Sequence, residues 1–180
     1  MKRLLAALLS LMFVALATDR DALAQPTEYQ LKAVFLLNFA RYIEWPAGSL
    51  HEGEPIQLCV LGRDPFGAAL EAIDGKQAQN RAVDVRMLVL PEQTEGCHVL
   101  FVSGSEERRV ASLLRGLGQA PVLTVSDLDG FVEAGGAIGF ATVDDRIRFD
   151  INAEALQRAG LRPSAQLMKI ARHIVGLEGR

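Results

Sequence analysis

Cysteine, tryptophan and tyrosine are scarce in this chain, with two, one and two among its 180 residues. The two cysteines, Cys59 and Cys97, form no CxxC pair and no Cys/His cluster, which leaves zinc binding and thioredoxin-like exchange without support. Basic excess is missing as well. Lys plus Arg number 19 against 22 Asp plus Glu, a formal charge of -3 spread along the chain, so nucleic acid has no electrostatic footprint here. The three histidines, His51, His98 and His173, stand at no metal-ligating spacing and read as structural or solvated. Repeats, low-complexity tracts and long linkers are absent too, and the length suits one compact domain. Past residue 17 no apolar run approaches the roughly 20 residues of a membrane-spanning helix.

What is present begins at the first residues. Lys2 and Arg3 precede an apolar run from Leu4 to Ala17, and Ala22-Leu23-Ala24 supplies a small-x-small site before Gln25. This is the order of a cleaved secretory signal over residues 1–24, with Ala15-Leu16-Ala17 as an alternative cleavage site. An uncleaved anchor or an amphipathic helix is the competing reading, but the run is short for a span and has no polar face. No cysteine follows either site, so a lipoprotein anchor is not indicated. The expectation is an exported domain over residues 25–180. In an oxidising periplasm or exterior Cys59 and Cys97 each have one possible partner, which favours a bridge over two buried thiols facing different ways.

Along the mature chain, apolar residues at helical spacing predict a first helix from Glu28 to Glu44, stopped by Trp45-Pro46. Pro55 to Leu61 reads as a buried strand, followed by a glycine-bounded loop, Gly62 to Gly67, and a short helix near Ala68 to Ile73. Ala82 to Leu90, Cys97 to Val102 and Pro121 to Val125 are strand-like. Ser103 and Glu106 spell a capping box for a helix to about Gly116, and Ser126-Asp127 offers a second start before Gly135-Gly136. Ala137 to Val143 and Arg146 to Ile151, joined by Asp144-Asp145, predict a β-hairpin. Asn152 caps a helix closed by Gly160, and Ser164 caps a last one carrying Leu167, Ile170, Ala171 and Ile174. The fold class is α/β: a single three-layer domain, a mostly parallel sheet with a β-hairpin, and helices on both faces.

Catalysis finds little to stand on. The loop from Gly62 to Gly67 sits where a phosphate loop would, but Ala68 and Ala69 replace the Lys and Ser/Thr that grip phosphate and metal. Ser103 and Ser105 spell no nucleophile elbow, and Asp144-Asp145 suit a turn better than a carboxylate pair. No catalytic, cofactor or metal site is predicted. The densest unusual cluster is Arg41 to Pro46, where Tyr42, Glu44, Trp45 and Pro46 form a candidate recognition edge. The alternative is that Trp45 seals the end of the first helix against the sheet. Arg146 and Arg148 alternate with Ile147 and Phe149, giving the hairpin one basic and one apolar face, a second candidate contact or simply a solvated one.

The ordered set of segments resembles the YfiR family of secreted bacterial proteins. It is carried by Asn38 to Pro46, by Ile56 to Leu61 with Gly62-Arg63-Asp64-Pro65-Phe66-Gly67, by Gly135 to Phe140 with Ile147 to Asn152, and by Ala159-Gly160-Leu161 through Ser164 and Leu167. The resemblance implies a non-enzymatic periplasmic regulator, a homodimer that represses an inner-membrane diguanylate cyclase by binding its periplasmic part. An outer-membrane lipoprotein relieves that repression in the founding member. The implied consequences are changes in cyclic di-GMP signalling and biofilm formation. Cys59 and Cys97 match the family's strand-borne cysteines, and the lack of any further cysteine puts a richer redox switch in doubt. Other receptors, such as a sensor kinase or a transporter, are compatible with the same resemblance. The competing reading from another class is a periplasmic small-ligand sensor built around Gly62 to Gly67 and the neighbouring strand ends.

Overall fold

The computed structural model describes residues 25–176, so the expected leader, residues 1–24, lies outside the described residues. Helix α1 (Glu28–Tyr42) opens on a capping box in which Thr27 Oγ1 accepts from Gln30 N–H at 3.3 Å and the Gln30 side chain accepts from Thr27 N–H at 2.7 Å. The helix ends two residues earlier than its apolar spacing predicts. Ile43 turns extended (φ -105, ψ 132) and is buried, and β1 (Ile43–Glu44) pairs antiparallel with β9 (Arg162–Pro163). Strand pairing from the far end of the chain, not Pro46, thus terminates α1.

The main sheet contains β2 (Ile56–Leu61), β3 (Gln77–Ala78), β4 (Arg81–Leu88), β5 (Val99–Val102), β6 (Leu123–Ser126), β7 (Ile138–Val143), β8 (Arg146–Asn152) and β10 (Ile174–Val175), in the order β10-β8-β7-β6-β5-β2-β4-β3. Every neighbouring pair is parallel except β7 with β8 and β3 with β4. The continuous apolar run of β2 follows from its central place, because both of its faces are covered. Ile56, Leu58 and Val60 point to the layer of α1 and the short helix α2 (Ala68–Glu71), while Cys59 and Leu61 point to the layer of α3 (Val110–Leu117). The disulfide between Cys59 and Cys97, with Cα atoms 5.9 Å apart, lies on that second face among Leu100, Val110 and Leu113. The expected three layers are present.

Local signals hold where the chain closes on itself. Asp144 and Asp145 both have positive φ (49 and 56), the turn that matches strand twist, and Val143 pairs with Arg146 across it. Asn152 Oδ1 accepts from Ala155 N–H at 2.9 Å at the start of α4 (Ala153–Arg158). That helix closes on Gly160 (φ 69), with Leu161 N–H donating to the Leu156 carbonyl at 2.9 Å. Ser164 Oγ accepts from Leu167 N–H at 3.1 Å and starts α5 (Ala165–Ile170).

Three expectations are corrected. The capping box at Ser103 is not formed: its hydroxyl donates to the Arg63 carbonyl at 2.6 Å, so the segment begins as a 3-10 turn (Gly104–Arg109) before α3. The chain after Ser126 is a series of turns, because the Asp127 carboxylate faces α1 instead of capping a helix. The last helix stops at Ile170, since Arg172 N–H donates to the Phe149 carbonyl at 2.8 Å and His173 accepts from Ile151 N–H at 3.0 Å, drawing Ile174 into β10. An ion pair between Arg172 and Asp150 fastens the same segment.

The bridge spans 38 residues of sequence, so in the chain-entropy description its reduction destabilises the fold by about 4 kcal/mol. Urea titrations of the oxidised and the reduced protein should show that loss as a lowered midpoint.

Candidate interaction surface

Helix α1 runs against the direction of the central parallel strands. Its first turns lie at their C-terminal ends, where Tyr29 and Lys32 meet Asp127 just after β6, and its exit lies at their N-terminal ends, where Trp45 meets His98 just before β5. Lys32 is 3% exposed. Its Nζ sits 2.6 Å from Asp127 Oδ2, pairs with Glu28 one turn earlier, and lies 4.5 Å from the centroid of the Tyr29 ring. Tyr29 Oη donates to the same carboxylate at 2.9 Å. Burial first, and then this hydrogen bond to Asp127, push the Tyr29 phenol up to about 12.

At the other end, the exit of α1 is fixed from three directions. Ser164 N–H donates to the Tyr42 carbonyl at 2.8 Å, and Gln79 Nε2 donates to the Ala40 and Ile43 carbonyls at 2.7 and 2.6 Å. Ile43 is anchored in the core, so the chain leaves with Tyr42, Glu44 and Pro46 exposed and Trp45 half-buried. The Trp45 ring packs edge to face on His98, centroids 6.3 Å apart at 88°, and its Nε1 is buried with no hydrogen-bond partner. Trp45 therefore takes a large part in packing, while Tyr42, Glu44 and Pro46 present the outward surface. Next to them, Gly160, Arg162 and Pro163 line one side of an open groove of about 590 Å³.

Arg146 and Arg148 are exposed, and Phe149 is buried, as the alternation requires. The hairpin that bears them pairs with β6 only at Ile138 and Gly139 and then continues past the C-terminal end of that strand. The two arginines thus stand at the opposite end of the sheet from Trp45. The structure does not bring the two candidate groups into one surface.

The ligand crevice expected of a parallel sheet lies between β2, which leads to β4, and β5, which leads to β6. Here it is closed by the protein itself. Asp64 accepts from Phe66 and Gly67 N–H at 2.7 and 3.1 Å, Ser105 Oγ accepts from Arg63 N–H at 2.9 Å, and a Cβ on Gly62 would collide with Ser105 and Glu106. In the Gly62 to Gly67 loop the N–H groups of Arg63, Phe66 and Gly67 are thus occupied by side chains of the same domain, and that of Gly62 by the Leu88 carbonyl.

Three contributors to these sites escaped the sequence reading. Lys32 and Asp127 are 95 residues apart, and Lys32 stands in an apolar helix with no local acid pattern beyond Glu28. Gln79, with Asn80, forms a second two-residue turn at positive φ (51 and 61), which no glycine marks. From sequence His98 reads only as structural or solvated, and both hydrogen-bond partners of its ring are backbone atoms, which leave no residue-type signal.

The YfiR/HmsC-like family model matches residues 29–172, and the chain belongs to that family. The family is one of periplasmic regulators, and no helix among the described residues is long and apolar enough to cross a membrane. Among solved structures, the crystal structure of a conserved domain protein from Vibrio cholerae is similar at a TM-score of 0.56 with 9% identity. The match covers 82% of this chain and 60% of that protein, so the likeness is one of fold.

The Lys32 cluster gives two expected outcomes. Asp127→Ala leaves the buried ammonium without its more buried partner and should lower stability by about 3 kcal/mol in urea titration. Because the folded pKa of Tyr29 is raised, its contribution is full below the ordinary 10.0 and is lost as pH rises toward about 12. Thermal melts across that range should show an alkaline decline that Tyr29→Phe removes.

Proposed function

We propose that the protein is a non-enzymatic periplasmic regulator that binds, as a homodimer, the periplasmic part of an inner-membrane signalling protein. The receptor in this reading is a diguanylate cyclase held in its inactive state, so the regulator lowers cyclic di-GMP and biofilm formation. The observation that carries it is the family match over residues 29–172. The closed switch point of the sheet favours a contact surface over an enclosed small-molecule site. An exposed edge made of Tyr42, Glu44 and Pro46 on a half-buried Trp45 supplies an amphipathic, rigidly held contact, since Ile43 and Glu44 pair with β9 and the Gln79 side chain holds the Ala40 and Ile43 carbonyls.

The physical basis is differential affinity. A regulator that binds the inactive receptor more tightly than the active one shifts the receptor's population, and a swing from 1:99 to 99:1 needs about 5.5 kcal/mol of preference. No chemistry on the receptor is required.

Deletion of the gene should raise cellular cyclic di-GMP, and complementation should restore it. Unchanged cyclic di-GMP in both strains overturns the cyclase as receptor. In the complemented strain, the double variant Tyr42→Ala/Glu44→Lys should restore little repression. Both residues are exposed, so its melting curve should match the wild type; a lost fold would mean the exit segment serves stability alone.

A further inference from the structure

His98 stands immediately before β5, 8% exposed, with its main chain locked on both sides: its N–H donates to the Gln57 carbonyl at 2.9 Å and its carbonyl accepts from Leu123 N–H at 2.8 Å. The ring is held just as fully. Nδ1 accepts from Gln57 N–H at 2.9 Å, and Nε2 lies 3.0 Å from the Ser49 carbonyl. A backbone N–H can only donate and a carbonyl can only accept, so the ring is neutral, with its proton on Nε2. One side chain thereby joins the start of β2 to the loop of residues 47–55, with the Trp45 ring packed on its face or edge. The loop is also tied by Arg81, whose guanidinium donates to the carbonyls of Leu50, His51 and Glu54, by Ser49 N–H, which donates to the Pro46 carbonyl, and by Leu50, which packs against the core.

We propose that His98 is an acid-sensitive latch: protonation at Nδ1 sets N–H against the Gln57 N–H and drives the ring, with the loop of residues 47–55 still held at Nε2, away from the start of β2, loosening Trp45 with it. In the imidazolium both ring nitrogens donate, so the Ser49 contact survives while the Gln57 contact turns repulsive. Burial pushes the His98 pKa below its ordinary 6.5, opposed by the Ser49 carbonyl. Among the charged groups on the surrounding elements, Glu54 of the loop favours the proton and Arg81 of β4 opposes it. The others are Glu44 beside Trp45, His51 and Glu52 on the loop, Asp84 on β4 and Arg162 on β9. Since the folded pKa is lowered, the latch is fully closed above 6.5 and is lost as pH falls from there through the folded value. Its regulatory consequence, acid control of the edge bearing Tyr42 to Pro46, rests on the contact reading proposed above.

Trp45 is the chain's only tryptophan, so its fluorescence reports this site alone. The oxidised mature protein should be titrated from about pH 7.5 to about pH 4.5, following tryptophan emission, far-UV circular dichroism and the His98 ring by NMR. The expected result is a reversible shift of emission to longer wavelength, with a midpoint below 6.5 that coincides with the His98 titration while secondary structure is retained. It should be absent in His98→Gln and kept in His51→Gln. An unchanged emission, an emission change that does not follow the His98 ring, or the same change in His98→Gln overturns the latch. If His98→Gln does not fold, the wild-type NMR comparison still decides. No receptor enters the experiment, so its failure is separate from any failure of the cyclic di-GMP test.

Discussion

Lys32 carries a full charge into a site that is 3% exposed, and the place where that charge is held determines how α1 lies on the sheet. A buried ammonium has few tolerable positions, because desolvation is costly unless an anion and further contacts offset it. Asp127, Glu28 and the Tyr29 ring supply those contacts only at the C-terminal end of β6. With its first turns pinned there, α1 has its Phe39 face on Phe140 and Phe149 and delivers Ile43 into the core at the opposite edge. The exposed residues that follow, Tyr42, Glu44 and Pro46, inherit their position from this arrangement at the other end of the helix.

Features decided within a few residues were legible in the sequence. The Asp144-Asp145 turn, the Asn152 and Ser164 caps and Gly160 are read from local backbone requirements, and the central place of β2 from its unbroken apolar run. Features decided by distant pairing were not. The ends of α1 and α5 depend on β9 and β8, which no helical periodicity can anticipate, and β1, β3, β9 and β10 are two-residue strands defined only by their partners. Ser103 shows the same limit in another form: its hydroxyl had a local use in a capping box, but the Arg63 carbonyl brought in by the parallel sheet took it. The family resemblance, carried by ordered short segments, was legible and agrees with the match over residues 29–172.

The candidate site was legible only as a list of residues. Sequence placed Tyr42 to Pro46 and Arg146 with Arg148 on equal footing, whereas the structure sets them at opposite ends of the parallel strands. It also divides the first group, because Trp45 spends much of its ring on His98 while its neighbours face outward. A half-buried aromatic beside exposed polar residues is a stiff surface, and stiffness reduces the entropy lost on docking.

The bridge between Cys59 and Cys97 has a topological consequence as well as a stabilising one. The chain it closes contains α2, β3, β4 and the segment from Val89 to Glu95, whose Val89 and Leu90 are among the most exposed large apolar residues described. A protease that cut one peptide bond inside that ring would leave both halves covalently joined, with the central β2 to β5 contact still tethered. Under oxidising conditions, then, damage to the outer edge of the sheet is linear scission without separation, and the molecule is released as two pieces only once the disulfide is also reduced.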